Sequence, residues 1–195
     1  MKIIDNFLEH DVFQKLQNDV RFKLQWNYND GIDYFEPDGK GNEKPTEEEL
    51  KKDKFQFVHT FYKDSQPFSD SISILDPVFL KLQPQVIARV KANILTRTPK
   101  IIENEFHVDL GFLNKEQCKQ FSTSILYMNT NNGYTKFEDG TKVESVANRL
   151  VTFPATMMHT GTSCTDKKIR IVINFNYMEY KGNTNWSINS DGNKI

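Results

Sequence analysis

The sequence predicts a mainly β domain with flanking helices, built as a sandwich or closed barrel. Two observations carry this. From residue 101 onward the chain is a series of short runs rich in β-branched and aromatic residues, among them "FSTSILYMN", "ESVANRLVTFP" and "KIRIVINFNY". Turn signals such as "NTNNGY" and "FEDGT" separate these runs at the spacing of an all-β core. Helical periodicity is clear only upstream, and the 195 residues suit one domain with a sizeable core.

In chain order, "DNFLEHDVFQKLQNDV" reads as a short strand followed by a helix, with Phe13, Leu16 and Val20 at helical spacing. Glu9 or Asp11 supplies negative charge near its start. Residues 26–54 hold Gly31, Gly39, Gly41, Pro37 and Pro45, so much of the segment is loop, a lid or insertion. Within it "TEEELKK" predicts a short helix capped by Thr46. Trp26, Tyr28, Tyr34 and Phe35 serve there either as a substrate lid or as anchors of a long loop. "KFQFVHTFY" alternates like a strand. "DPVFLKLQPQV" starts a helix with Asp76 as N-cap and Pro77 at the first helical position. "IARVKANIL" returns to alternation. Residues 181–195 form a polar tail with little to bury.

Net charge is −1, from 25 basic and 26 acidic residues, which gives no electrostatic case for nucleic-acid binding. The two cysteines, Cys118 and Cys164, do not make a disulfide scaffold. No stretch approaches the ~18 apolar residues of a membrane span, and "MKIIDNFLEHDVF" has no apolar signal core. A cytoplasmic protein is expected.

The chemistry begins at "EFHVDLGF", residues 105–112. Read as a strand, it turns His107 and Asp109 to one face and Phe106, Val108 and Leu110 to the other. A hydrogen-bonded pair at a strand end would satisfy this much. His159, downstream in "MMHTGT", adds a second imidazole. Two imidazoles and one carboxylate leave open positions on a metal, which suits a non-haem Fe(II) that must bind a chelating co-substrate and O2. Eleven positions on, the strand "KIRIVINFNY" puts Ile169, Ile171, Ile173 and Phe175 on one face and Arg170, Val172, Asn174 and Asn176 on the other. A guanidinium on an interior face requires an anion, and its planar fork suits a carboxylate.

In order and spacing, His107, Asp109, His159 and Arg170 resemble the Fe(II)- and 2-oxoglutarate-dependent dioxygenase superfamily, with its double-stranded β-helix (jelly-roll) core. The chain resembles in particular the prolyl-4-hydroxylase-like branch and the short oxygenases of marine bacteriophages. "IIDNFLEHDVFQKLQ", "SILYMNTNNGYTKFEDG" and "NRLVTFPATMMHTGT" carry this likeness, which covers roughly residues 1–180, a single domain.

The resemblance implies that His107, Asp109 and His159 ligate Fe(II) and that Arg170 binds the distal carboxylate of 2-oxoglutarate. Tyr127 matches a tyrosine that often donates to that carboxylate, although an ordinary core tyrosine reads equally well there. Asn93 and Leu95 stand where the family lines its pocket. The implied reaction couples O2-dependent decarboxylation of 2-oxoglutarate to hydroxylation of an unactivated C–H, with ascorbate as an accessory reductant. The substrate is a peptide or small molecule, peptidyl proline first. Asn176 stands where the nucleic-acid demethylases of the superfamily carry a second arginine, which argues against base-repair chemistry. The alternatives are a jelly-roll binding module without turnover, and an interaction protein whose metal is only structural.

Overall fold

The computed structural model describes residues 1–32 and 54–179. Among the described residues, eleven strands form two antiparallel sheets. The larger runs β1 (Lys2–Ile4), β9 (Leu150–Pro154), β6 (Ser122–Tyr127), β11 (Ile169–Glu179), β5 (Pro84–Thr96), β3 (Gln56–Lys63), β2 (Asn27–Asn29), and β4 (Gln66–Pro67) pairs with β3 off this path. The smaller is β10 (His159–Gly161), β7 (Tyr134–Phe137), β8 (Lys142–Glu144). This is the jelly-roll expectation: two sheets facing each other, with non-sequential neighbours in the larger one.

Strand parity decides what each face of the large sheet does. Ile171, Ile173 and Phe175 of β11 join Val90 and Ala92 of β5 and Leu126 of β6 in the main core. Helix α1 (His10–Phe22) covers that face with Phe13, Leu16 and Val20, and α2 (Asp76–Leu82) adds Val78. Each fully buried aliphatic or aromatic side chain there contributes about 1.5–3 kcal/mol. The opposite parity, Ile125, Tyr127, Val151, Phe153 and Val172, packs on Phe137 and Val143 of the small sheet. The same inner face borders a cavity with Lys91, Asn93 and Leu95 of β5 and Arg170, Val172 and Asn174 of β11.

The ends of the elements follow local chemistry. In α1 the Glu9 side chain makes no capping bond, while Asp11 lies in the first turn. Asp19, on the buried face, is held by Lys15 at 2.9 Å and Lys23 at 2.6 Å. Asp76 is already helical rather than a cap, because the 3-10 turn Asp70–Leu75, capped by Ser69, runs straight into α2. Asn148 takes a left-handed φ of 64° before β9, and its amide brackets the backbone of Leu8 at 2.9 and 2.8 Å. That contact ties the start of the chain to the sheet. The helix expected over "TEEELKK", most of the 26–54 segment and the polar tail lie outside the described residues. Among the described residues no helix is long and apolar enough to cross a membrane.

A further expectation needs correction. Residues 105–112 are not a strand. The segment joins the small sheet through an isolated bridge, His107 with His159, as Glu103 just before it does with Thr162, and then turns at Asp109. Leu110 leaves the alternation to sit fully buried with Cys118 and Ala155. That anchor and the following turn stop the strand, so the tertiary position of Asp109 is set by more than period-two geometry.

Candidate metal and co-substrate site

His107 and His159 meet directly through a bridge between their segments. Each backbone N–H donates to the other's carbonyl at 3.0 Å. Their rings lie 4.9 Å apart between centroids. The Nδ1 of His107 donates to the carbonyl of Glu105, and that of His159 to the carbonyl of Met157, each at 3.1 Å. A carbonyl only accepts, so the proton sits on Nδ1 and the neutral ring presents its lone pair at Nε2. Both Nε2 atoms face Asp109. That of His107 is 4.0 Å from Oδ1, and that of His159 is 4.0 Å from Oδ2. One ligand atom from each residue falls within 4.8 Å of the others. Two ring nitrogens tied from behind by carbonyls, with one carboxylate, fit a divalent cation with open positions.

The electrostatics agree. Burial alone would raise the pKa of Asp109. The Arg89 guanidinium, helped by the hydrogen bond from the Asn176 amide, outweighs it, and the carboxyl is held far below its ordinary range. Arg89 Nη2 donates to Oδ1 at 2.8 Å, and Asn176 Nδ2 to Oδ2 at 3.0 Å. Burial pushes His159 below its ordinary value despite the nearby carboxylate, which keeps its imidazole neutral.

Two residues along β10 from His159, Gly161 pairs with Thr135, a step of about 6–7 Å. Here Arg170 enters from β11, 2% exposed. Its Nε donates to the Ser145 hydroxyl at 2.8 Å and its Nη2 to Thr135 Oγ1 at 3.4 Å. Among the described residues no carboxylate pairs with it. Burial lowers its pKa, yet a guanidinium keeps its proton. This is a buried cation whose described partners are neutral, the arrangement that an incoming carboxylate completes. Gly133 makes room: a Cβ there would lie 2.8 Å from Arg170 Cδ and 2.7 Å from the Ser163 carbonyl oxygen.

The cavity joins these two places. Leu95, Asn93 and Lys91 of β5 line it, with Val172 and Asn174 of β11, each opposite its partner in the strand register. Asn93 and Leu95 therefore stand on the cavity wall. Tyr127 does not reach it. Its hydroxyl, kept protonated by burial, donates to Thr135 Oγ1 at 2.7 Å. Its ring lies 5.7 Å from the Arg170 guanidinium carbon. With Tyr127 and Arg170 both donating to it, Thr135 has its own proton left to point at the cavity.

Sequence reasoning missed Arg89, Ser145, Thr135 and Gly133, and saw Asn176 only as a departure. Arg89 shares strand parity with Asn93 and Leu95, which would have put it on the inner face. Which residue it meets is a matter of register between distant strands.

No family model and no curated protein matches the chain. Solved structures resemble it at low identity. A prolyl hydroxylase from Trichoplax adhaerens, in complex with a hypoxia inducible factor peptide fragment, is 12% identical with a TM-score of 0.59, over 92% of this chain and 84% of that one. The viral collagen prolyl hydroxylase of Paramecium bursaria Chlorella virus-1, in a 2-oxoglutarate complex, is 13% identical with a TM-score of 0.54, over 92% and 96%. A Streptomyces hygroscopicus protein with nickel, 2-oxoglutarate and hygromycin B bound is 8% identical with a TM-score of 0.57, over 97% and 88%. With its two facing sheets and the His-Asp-His cluster between them, the chain has the jelly-roll fold of the 2-oxoglutarate- and Fe(II)-dependent oxygenases.

Proposed function

We propose that the protein is an Fe(II)- and 2-oxoglutarate-dependent dioxygenase that hydroxylates an unactivated C–H bond. One observation carries this reading. A single cavity holds a cation-ready cluster at His107, Asp109 and His159, and an anion-ready guanidinium at Arg170. A short α-keto diacid is a ligand whose two ends match both.

Bound Fe(II), with 2-oxoglutarate and O2, would supply the oxidising power, releasing succinate and CO2. The chain's residues do the rest. His107, Asp109 and His159 hold the metal, with the Nδ1 bonds fixing the ring orientation. Arg170 and Thr135 hold the distal carboxylate, and Tyr127 orients Thr135 from behind. Leu95, Ile125 and Val172 give the wall between the two ends its apolar part.

Peptidyl proline is the substrate we would test first, by likeness to the prolyl hydroxylases. A second reading, a free amino acid or other small polar metabolite, is favoured by the cavity wall. The side-chain oxygens of Asn93, Asn104 and Asn174 are buried and unpartnered. They offer hydrogen-bond acceptors that a pyrrolidine ring cannot use and an amino or hydroxyl group can.

The test needs no substrate. Fe(II) and 2-oxoglutarate are added without air, and the visible charge-transfer band of the chelate is sought; O2 is then admitted and succinate assayed. A band absent from His107→Ala, followed by slow succinate formation, supports the oxygenase reading. Bound iron without a band or succinate means a metal module without turnover.

A further inference from the structure

The charge of Asp109 is matched by described residues, and the match is built across three strands. Arg89 of β5, Asn176 of β11 and Thr123 of β6 face one another in register. They form a single rung on the inner face, immediately before the irregularity that follows Asn176. Asn176 is fully buried and spends its whole amide on this rung. Its Nδ2 donates to Asp109 Oδ2 and to Thr123 Oγ1, each at 3.0 Å, and its Oδ1 accepts from Arg89 Nε at 3.2 Å. The orientation of this amide is not free, because a guanidinium only donates and a carboxylate only accepts. Arg89 closes the ring with Nη2 on Asp109 Oδ1 at 2.8 Å.

A guanidinium beside a site for a dication does not help the dication, since the two cations repel. The same guanidinium does help a buried carboxylate that has no metal. Arg89 with Asp109 is neutral by itself; adding a divalent metal leaves the group at +2, which a dianionic co-substrate then cancels. The arrangement answers the needs of the metal-free protein.

Resting on the metal-site reading above, we propose that Arg89 is a positioning residue: the counter-charge that, through Asn176, holds Asp109 aimed at the two Nε2 atoms before any metal arrives. The buried carboxylate is thereby stabilised without a metal, and the repulsion between Arg89 and an incoming dication lowers the affinity of the site for it.

The test compares wild type, Arg89→Met, Arg89→Gln and Arg89→Lys by thermal unfolding, in EDTA and in saturating Co(II), with the Co(II) dissociation constant measured for each. Arg89→Met is expected to lose about 6 °C or more in EDTA and less than half of that in Co(II). By the same cycle it binds Co(II) more tightly than wild type. Arg89→Lys, which keeps the charge, recovers most of the metal-free loss. Arg89→Met folding only with Co(II) is the limiting form of this result. If Arg89→Met folds in neither condition, Arg89→Gln, which keeps a donor without charge, must show the same metal-dependent difference. Equal losses in the two conditions, in whichever variant folds, overturn the proposal and leave Arg89 an ordinary packing residue. A larger loss in Co(II), or weaker Co(II) binding, also overturns it. A wild type that shows neither a Co(II)-induced shift nor Co(II) d–d bands overturns the metal reading itself, and the proposal with it.

Discussion

The two ends of the cavity solve opposite electrostatic problems in opposite ways. At one end a buried carboxylate, Asp109, has a guanidinium and an amide on its two oxygens. At the other a buried guanidinium, Arg170, has two hydroxyls and, among the described residues, no carboxylate. Burying an unmatched charge costs far more than burying a matched one. Asp109 is therefore a finished internal pair, while Arg170 carries the cost of a buried charge that an anion would relieve. The difference makes the signs of mutational effects diverge at the two ends.

The largest effect is expected at the matched end. Asp109→Ala removes the carboxylate of the proposed metal cluster and should weaken divalent-metal binding by about 100-fold, measured by calorimetric titration. It should also lower the Tm of the metal-free protein, because Arg89 and Asn176 lose their shared acceptor. An unchanged metal affinity would break the assignment of the cluster.

Next comes Arg170→Met. It should raise the 2-oxoglutarate concentration needed for half-saturation by at least ~30-fold while leaving metal affinity intact. Its effect on the ligand-free protein should have the opposite sign to that of Asp109→Ala. Replacing an unmatched buried charge with an apolar side chain of similar length should stabilise by about 1 kcal/mol or more, seen as a higher Tm. A lower Tm would mean that the hydroxyls and the Tyr127 ring compensate the guanidinium fully.

Gly133→Ala sharpens the comparison by moving Arg170 without removing it. A Cβ 2.8 Å from Arg170 Cδ and from Asn131 Oδ1 forces something to shift. A loss of about 1–3 kcal/mol in chemical denaturation is expected, with a several-fold higher 2-oxoglutarate requirement and unaltered metal binding. Equal damage to metal binding would show that the two ends are not independent.

The smallest effect is with pH. In the folded metal-free protein His159 is held below its ordinary pKa by burial, so the unfolded chain takes up its proton first. The stability it contributes is present above pH ~6.5 and is lost as pH falls through its folded value. Asp109 adds a second loss at more acidic pH, starting below ~4, because its folded value is also depressed. Thermal unfolding against pH should show the upper limb flattened in His159→Asn. A limb unchanged by that substitution would mean that another group titrates there.

How much of this was legible in the sequence varies with the range of the interaction. The two faces of β11 could be read directly: the apolar parity is in the main core and the parity of Arg170 borders the cavity. The helix carrying Phe13, Leu16 and Val20 was equally plain, because a period of 3.6 is a local property of the chain. The reading of 105–112 as a strand failed because period-two alternation does not reveal that Leu110 is pinned in a separate small cluster and that the chain turns at Asp109. Tyr127 faces inward as its parity requires, but parity does not say how far a phenol reaches, and Thr135 stands at the end of it.

By itself the sequence determined the strand-rich second half, the facing of β11 and the candidates His107, Asp109, His159 and Arg170, since alternation and residue chemistry are written along one dimension. Only the tertiary structure decided which charge is matched. Arg89 and Asp109 are 20 residues apart and Asn176 a further 67 away, and they meet because β5 and β11 pair in one register rather than another. A slip of one residue would turn Arg89 to the opposite face of the sheet and leave Asp109 in the same predicament as Arg170.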